Sequence, residues 1–452
     1  MQIQFLGATG TVTGSKYLLT TARQKVLVDC GLFQGYKQLR LRNWDALPVS
    51  PRDIHAVVLT HAHLDHSGYL PLLVRNGFRG KIYCSQATYD LCTLLLPDSG
   101  RLQEEDAAFA NRHGFSKHAS AMPLYTKQDA LDCLRHFAPI AFDIPAGLDG
   151  GLDVTLSVAG HILGAATVTI RDEQATAVFS GDLGRMDDLI MVPPAPVAQA
   201  DYLVIESTYG NRRHDRTDPM QLLGQTIRDT ASRGGVTVIP SFAVGRVQSL
   251  LYYLHLLKSS GAISSVLPIY VDSPMATDAT AIYHKHRALH RLSPAQCDAM
   301  CHTARMINSV EESKALDRKR IPMVIIAPSG MATGGRVLHH LKAFASDPRN
   351  TILFAGHQAG GTRGAAMVAG ADSIKIHGEQ VAVRAQIVQI NNLSAHADSD
   401  EILAWLAHFA APPRKTYITH GEPQAAEALR QRIERELTWP CEVPAYLQMV
   451  QW

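Results

Sequence analysis

The sequence predicts an α/β protein in which a first domain of short strands and helices is interrupted by a parallel α/β unit and then resumed. Three observations predict this. Apolar runs of strand length fill the first 208 residues, and several stop beside a histidine or a carboxylate. After residue 208 the rhythm becomes strand, small-residue loop, helix, three times over. Strand patterns of the first kind then return near IKIHG and VAVRAQIVQI. The expected division is 1–208 for the first part, 209–372 for the insert and 373–452 for the return. No Pro/Ser-rich linker or low-complexity segment marks the junctions.

The elements follow in order. MQIQFL, SKYLL and KVLVD read as strands, the last ending at Asp29. AVVLT, rich in β-branched residues, ends at Thr60 and leads into a histidine-rich turn. SGYLPLLVRNG and QATYDLCTLLL have helical spacing, with the strand KIYC between them. Residues from about 98 to 140 are polar and helical in pattern. LDVTLSV, AATVTI, ATAVFS and YLVIE are strands again, with His161, Asp182 and Glu206 at or just beyond their ends. Loops held at strand ends by a rigid sheet are where chemistry usually sits. In the insert, VTVIPS leads into GRVQSLLYYLHLL, LPIYVDS into MATDATAIYHKH, and MVIIAPS into GGRVLHHLKAF, a parallel arrangement. KTYITH and a helix from about 423 close the chain.

The totals narrow the classes. A chain of 452 residues exceeds one typical core and points to two or three domains. Hydrophobic residues at 46% and charged residues at 19% fit a folded protein. No apolar run approaches the roughly 20 residues that span a bilayer, so no membrane is expected. The N-terminus has no basic leader and apolar block, and the expected location is the cytoplasm. Seven cysteines without a CxxC pair argue against a disulfide framework, and Cys297 and Cys301 read as a structural pair. A formal charge of +2 argues against a protein that coats nucleic acid, but not against a local basic groove. Histidine, at 21, is the outlier.

His61-Ala62-His63-Leu64-Asp65-His66 carries the strongest signal. Three imidazoles and a carboxylate within six residues converge only if the backbone turns sharply. His and Asp at this spacing suit Zn²⁺, and they exceed what one tetrahedral ion needs.

This HxHxDH run resembles the metallo-β-lactamase superfamily. The resemblance implies a four-layer αβ/βα sandwich with a dinuclear metal site on its edge. It implies that His61, His63 and His161 (in AGHILGA) hold one metal, that Asp65 and His66 belong to the other, and that Asp182 (in SGDLG) bridges them. Asp29 matches the acidic residue beneath the site that orients ligands. Glu206 in VIESTYGNR, His396 in LSAHAD and His420 in THGEP match motifs A, B and C of the β-CASP nucleases, and the insert matches their inserted β-CASP domain. PSFAVGRVQ, VDSPMA and PSGMATGGR strengthen the match. The members most resembled are RNA-cleaving, including the pre-mRNA 3′-end-processing endonuclease and its bacterial and archaeal relatives. His357 in AGHQAGGTRG departs from the aromatic residue expected there.

What the resemblance implies is a metal-dependent ribonuclease with two Zn²⁺ per chain and single-stranded RNA as partner, with DNA and a homodimer left open. Its active site is expected in a cleft between the first domain and the insert. Asp65 would take the proton of the attacking water and His420 would complete the second metal's shell. His396, held by Glu206, would protonate the leaving oxygen or clamp the phosphate. The insert's Ser/Gly loops at helix starts are candidate phosphate cradles: Ser241 with Arg246, Ser273, Ser329 with Gly330, and Thr362 among Gly360, Gly361 and Gly364. Arg212, Arg213 and Arg216, and Arg318, Lys319 and Arg320, are local basic clusters. The rival readings are a small-molecule hydrolase on the same fold, which needs neither motifs A to C nor the insert, and a non-catalytic scaffold, which would lack ligands.

Overall fold

The computed structural model describes residues 1–114, 120–215, 217–356 and 358–452; His118, Arg216 and His357 lie outside them. The chain divides into two compact units, residues 1–213 with 396–452, and residues 214–395.

The first unit opens with β1 (Gln2–Phe5), β2 (Tyr17–Thr20), β3 (Lys25–Val28), β4 (Ala56–Val58), β5 (Lys81–Cys84) and β6 (Phe137–Pro139). It continues with β7 (Ala146–Leu148), β8 (Leu152–Val158), β9 (Ala166–Arg171), β10 (Thr176–Phe179) and β11 (Tyr202–Glu206). The second unit holds β12 (Val236–Pro240), β13 (Ile269–Val271), β14 (Arg305–Met306), β15 (Met323–Ala327), β16 (Thr351–Phe354), β17 (Ser373–Ile376), β18 (Glu379–Ala382) and β19 (Gln386–Gln389). The chain then returns with β20 (Lys415–Thr419), β21 (Cys441–Glu442) and β22 (Met449–Gln451).

Two seven-stranded sheets, β22-β1-β2-β3-β4-β5-β6 and β21-β20-β11-β10-β9-β8-β7, build the first unit. Alternation along the strands gives each sheet an inner face. Ile3, Phe5, Val26, Val28 and Val58 of one sheet meet Val154, Leu156, Val168, Ile170, Phe179 and Val204 of the other in one dry core. On the far side of the second sheet, Leu203, Ile205 and Ile418 pack against Trp405, Leu406, Leu429 and Ile433. These come from the helices Ser399–Leu406 and Pro423–Leu437. The helices Leu70–Arg75, Gln86–His113 and Lys127–Cys133 pack together beside the first sheet. The result is the αβ/βα sandwich expected from the sequence. All seven cysteines are free thiols. No helix among the described residues is long and apolar enough to cross a membrane.

The second unit is a parallel sheet, β14-β13-β15-β12-β16-β19, plus the hairpin β17-β18. Here the structure departs from the sequence reading. The segments after 372 do not rejoin the first sheets: β19 pairs in parallel with β16, and Ile374 and Ile376 enter the second unit's core. Alternation marks a strand but not the sheet it joins. Backbone pairing decides that, and the chain re-enters the first unit at His396.

One buried charge has a testable consequence. Lys16 follows the β1–β2 loop and is 2% exposed. Its ammonium donates to the Gly31 carbonyl and lies 4.7 Å from the ring centres of Phe33 and of Tyr69. Burial drives its pKa from 10.5 down to about 8, against the opposing pull of Cys30. Between those values the unfolded chain holds a proton that the folded one has released, so this lysine's penalty is full below about pH 8 and vanishes as pH rises through 10.5. The stability of the wild type relative to Lys16→Met is therefore expected to rise by roughly 3 kcal/mol from pH 8 to 10.5. Urea unfolding of both proteins at the two pH values measures it; parallel curves would refute the assignment.

Candidate metal centre

Parallel pairing of β3 with β4, and of β10 with β11 and β20, brings the carboxyl ends of these strands to one edge of the sandwich. Antiparallel pairing of β8 with β9 and of β9 with β10 sends β8 to the same edge. Asp29, His61, His161, Asp182, Glu206 and His420 all lie at or just past these ends. Asp29 and His420 take left-handed φ values of 57° and 49°. Such backbone is uncommon away from glycine and collects at functional sites. The turn that carries His63, Asp65 and His66 is pressed against the segment after β3: a Cβ on Gly31 would stand 1.6 Å from the Asp65 carbonyl oxygen. Only glycine fits there, and Leu32 N–H donates to the Leu64 carbonyl at 2.8 Å beside it.

Four side chains converge in a first cluster. His63 Nδ1 is 3.2 Å from His61 Nε2 and 3.2 Å from His161 Nε2. Asp182 Oδ2 is 3.4 Å from His61 Nε2 and 3.6 Å from His161 Nε2. Around a tetrahedral zinc with bonds of about 2.0–2.1 Å, ligand atoms stand about 3.3–3.4 Å apart, so this set has the right size for one ion. Burial holds His61 well below the usual imidazole range and brings His63 down to about 4. Both rings are therefore neutral at pH 7 with lone pairs to offer, as metal ligation requires.

A second cluster shares the same carboxylate. His66 Nε2 is 3.2 Å from His420 Nε2, and Asp65 Oδ2 is 3.5 Å from that atom. Asp182 Oδ1 lies 3.3 Å from His66 Nε2. Thus Oδ2 of Asp182 faces one cluster and Oδ1 the other, which is the placement of a bridging carboxylate. Asp182 Oδ1 is buried, with only the His66 and His420 ring nitrogens beside it at 3.3 and 3.4 Å and no well-aligned hydrogen bond among the described residues. An acceptor in that state is costly unless a cation completes it, so the donor set fits two ions.

The supports are partly residues that the sequence reading passed over. Asp29 accepts from Thr60 N at 2.7 Å and Thr60 Oγ1 at 2.9 Å and meets His66 Nδ1 at 2.7 Å. Thr208 Oγ1 is 3.1 Å from His420 Nδ1, while His420 Nε2 lies beside His66 and Asp65. Ser180 Oγ accepts from Glu206 N at 3.0 Å. Thr60 and Thr208 stand next to motif residues, and a ligating imidazole needs a partner on its other nitrogen. That need was the available signal.

His396 sits at the rim, its side chain 19% exposed. Its Nδ1 is 3.2 Å from both oxygens of Glu206. Glu206 is itself buried and accepts from Leu183 N at 2.7 Å. Burial works against a charged ring here, yet the Glu206 carboxylate outweighs it and holds His396 above the ordinary histidine range. An imidazole anchored at Nδ1 presents Nε2 as a proton donor.

The candidate phosphate loops follow β12, β13, β15 and β16, at the carboxyl edge of the second unit's parallel sheet. Their hydroxyls are occupied locally. Ser273 and Thr362 cap the helices Pro274–Lys285 and Arg363–Val368, accepting from Ala276 N and Ala365 N. Ser329 Oγ is 2.9 Å from Thr333 Oγ1, and Ser241 is buried with its Oγ directed to the Phe242 carbonyl. Gly330 is tight against Phe242, and Arg246 opens the helix Arg246–Ser259.

Models of three families match the chain: the metallo-beta-lactamase superfamily over residues 9–232, the Beta-Casp domain over 247–367, and a Zn-dependent metallo-hydrolase RNA specificity domain over 380–444. Ribonuclease TTHA0252 of Thermus thermophilus is 36% identical, over 95% of each chain. Transcription termination factor FttA of Methanocaldococcus jannaschii is 29% identical over 98% of this chain and 71% of that one. FttA of Pyrococcus abyssi is 31% identical over 100% and 71%. A crystal structure of a protein of unknown function from Enterococcus faecalis shares the fold, with a TM-score of 0.53 over 99% of both chains at 13% identity. The chain belongs to the β-CASP nuclease family of the metallo-β-lactamase superfamily and is a metal-dependent hydrolase.

Proposed function

We propose that this protein is a ribonuclease that hydrolyses single-stranded RNA with two zinc ions, in RNA processing or decay in the cytoplasm. The observation that carries the reading is the division of the Asp182 carboxylate between two ligand clusters. His61, His63, His161 and Asp182 would hold one zinc; Asp65, His66, His420 and Asp182 the other. Two zinc ions held there would supply an activated water and offset the charge of a phosphodiester in its transition state.

The chain's own residues do the rest. Asp65, mostly buried with its side chain 22% exposed, takes the proton of the attacking water. His396 gives a proton from Nε2 to the departing ribose oxygen, while Glu206 holds its Nδ1. In the second unit, backbone N–H groups at Ser273, Ser329, Gly330 and Thr362, with the loop that runs from Ser241 to Arg246, are proposed to receive RNA phosphates. The ligand count favours an enzyme over a non-catalytic scaffold, and Glu206 and His396 with the second unit favour a nuclease over a small-ester hydrolase.

Elemental analysis of protein purified without added metal is expected to give about two zinc ions per chain. End-labelled RNA is expected to be cut by that protein, spared after chelation, and cut again when zinc is restored. A metal content near zero that excess zinc cannot raise would sink the proposal.

A further inference from the structure

The segment after β3 carries exposed side chains that neither the metal clusters nor the core uses. It is well anchored at its base. Asn43 is buried and pinches Phe33 with two hydrogen bonds, to its N–H at 2.9 Å and its carbonyl at 2.8 Å. Arg42 turns inward, its guanidinium 4.0 Å from the ring centre of Tyr446. Leu32, at the start of the segment, is bonded to Leu64 inside the metal-binding turn.

Between these anchors the chain forms the short helix Lys37–Leu41 and continues through turns to Asp45. Tyr36, Lys37, Arg40, Leu41 and Trp44 fall within this short stretch: Tyr36 at the helix N-cap, Lys37, Arg40 and Leu41 on the helix, and Trp44 in the turns that follow. The stretch is open: Tyr36 is 49% exposed, Leu41 53% and Trp44 58%. Among the described residues no acidic group pairs with Lys37 or Arg40, and neither aromatic ring stacks on another. Two unused cations lie between two unused rings in chain order.

We propose that this exposed stretch is a binding platform for single-stranded RNA, which carries the strand next to the metal edge. The inference rests on the ribonuclease reading and adds where a flanking part of the substrate lies. A charged backbone with splayed bases fits both halves of the pattern: Lys37 and Arg40 meet phosphates, while Tyr36 and Trp44 take base faces. A second copy of this chain would find the cations a hindrance, since the patch would meet itself with like charge.

Trp44 makes the test direct. Of the four tryptophans, Trp405 and Trp439 are buried and Trp452 is stacked on Tyr202 at 4.4 Å, so quenching by a stacked base reports on Trp44. The zinc-loaded protein would be mixed rapidly with a 15-nucleotide single-stranded RNA and its fluorescence followed before cleavage. We expect quenching by RNA and none by inorganic polyphosphate. Trp44→Phe should lose the signal but keep the affinity, and Trp44→Ala should bind that RNA about 5- to 150-fold more weakly. Neither change should alter turnover of bis(p-nitrophenyl) phosphate, which is too small to reach the platform. Lys37→Gln with Arg40→Gln should lower the salt slope of RNA binding by about 1.4. RNA that is cleaved with unchanged KM by Trp44→Ala, without quenching in the wild type, overturns the platform and leaves the ribonuclease reading standing. RNA that quenches Trp44 but is never cut overturns the ribonuclease reading instead. A dimer that shields Trp44 from acrylamide without RNA and dissociates on Trp44→Ala would assign the stretch to a second copy and overturn the platform.

Discussion

Asp182→Asn is expected to yield a folded protein that holds neither metal tightly and cleaves RNA roughly 10³- to 10⁵-fold more slowly. The change is nearly isosteric, so packing at this buried position survives. What it removes is an oxygen. Asp182 Oδ2 stands 3.4 Å from His61 Nε2 and Oδ1 stands 3.3 Å from His66 Nε2, one atom for each cluster. An amide offers one oxygen and an NH₂ group that cannot ligate, and it also removes the negative charge among five imidazoles. Dinuclear catalysis supplies several kcal/mol to the transition state, at a tenfold rate change per 1.36 kcal/mol. Elemental analysis and cleavage of end-labelled RNA read the two effects, and thermal melting checks the fold. Two tightly bound metals with undiminished cleavage would remove the bridge from the mechanism.

The site was far more legible in the sequence than its supports. His61, His63, Asp65 and His66 crowd one turn, and a turn that dense has few uses besides holding a cation. Glu206, His396 and His420 are scattered over more than 200 positions, and composition alone marks none of them. They became readable through their local motifs, and parallel pairing of β11 with β20 explains why: it brings Glu206 level with Thr419, next to His420. Thr60 and Thr208 were readable only through the need of a ligating imidazole for a partner, because a threonine that orients an imidazole otherwise looks like any other threonine near a strand end. Ser273 and Thr362 show the opposite limit. A hydroxyl that begins a helix reads equally as a cap or as a ligand contact, and here each caps its helix. Strands β17 to β19 were legible as strands, while their sheet depended on pairing partners far along the chain.

His396→Ala separates metal binding from proton transfer. Each cluster has enough proposed ligands without His396: three imidazoles and Asp182 in one, and two imidazoles with Asp65 in the other, beside which Asp182 Oδ1 also stands. Metal content is therefore expected to stay at the wild-type level. Cleavage is expected to fall by roughly 10²- to 10⁴-fold, the usual contribution of a positioned general acid. The dependence on the leaving group gives the sharper reading. The departing ribose oxygen is a poor leaving group that needs a proton, whereas p-nitrophenolate leaves without one. The loss should accordingly be large on RNA and small on bis(p-nitrophenyl) phosphate. Glu206→Gln keeps the hydrogen-bond length but withdraws the charge that favours the protonated ring, so it should follow the same pattern with a smaller loss. Loss of a metal in His396→Ala would make this histidine a ligand, and equal losses on the two substrates would make it a phosphate clamp.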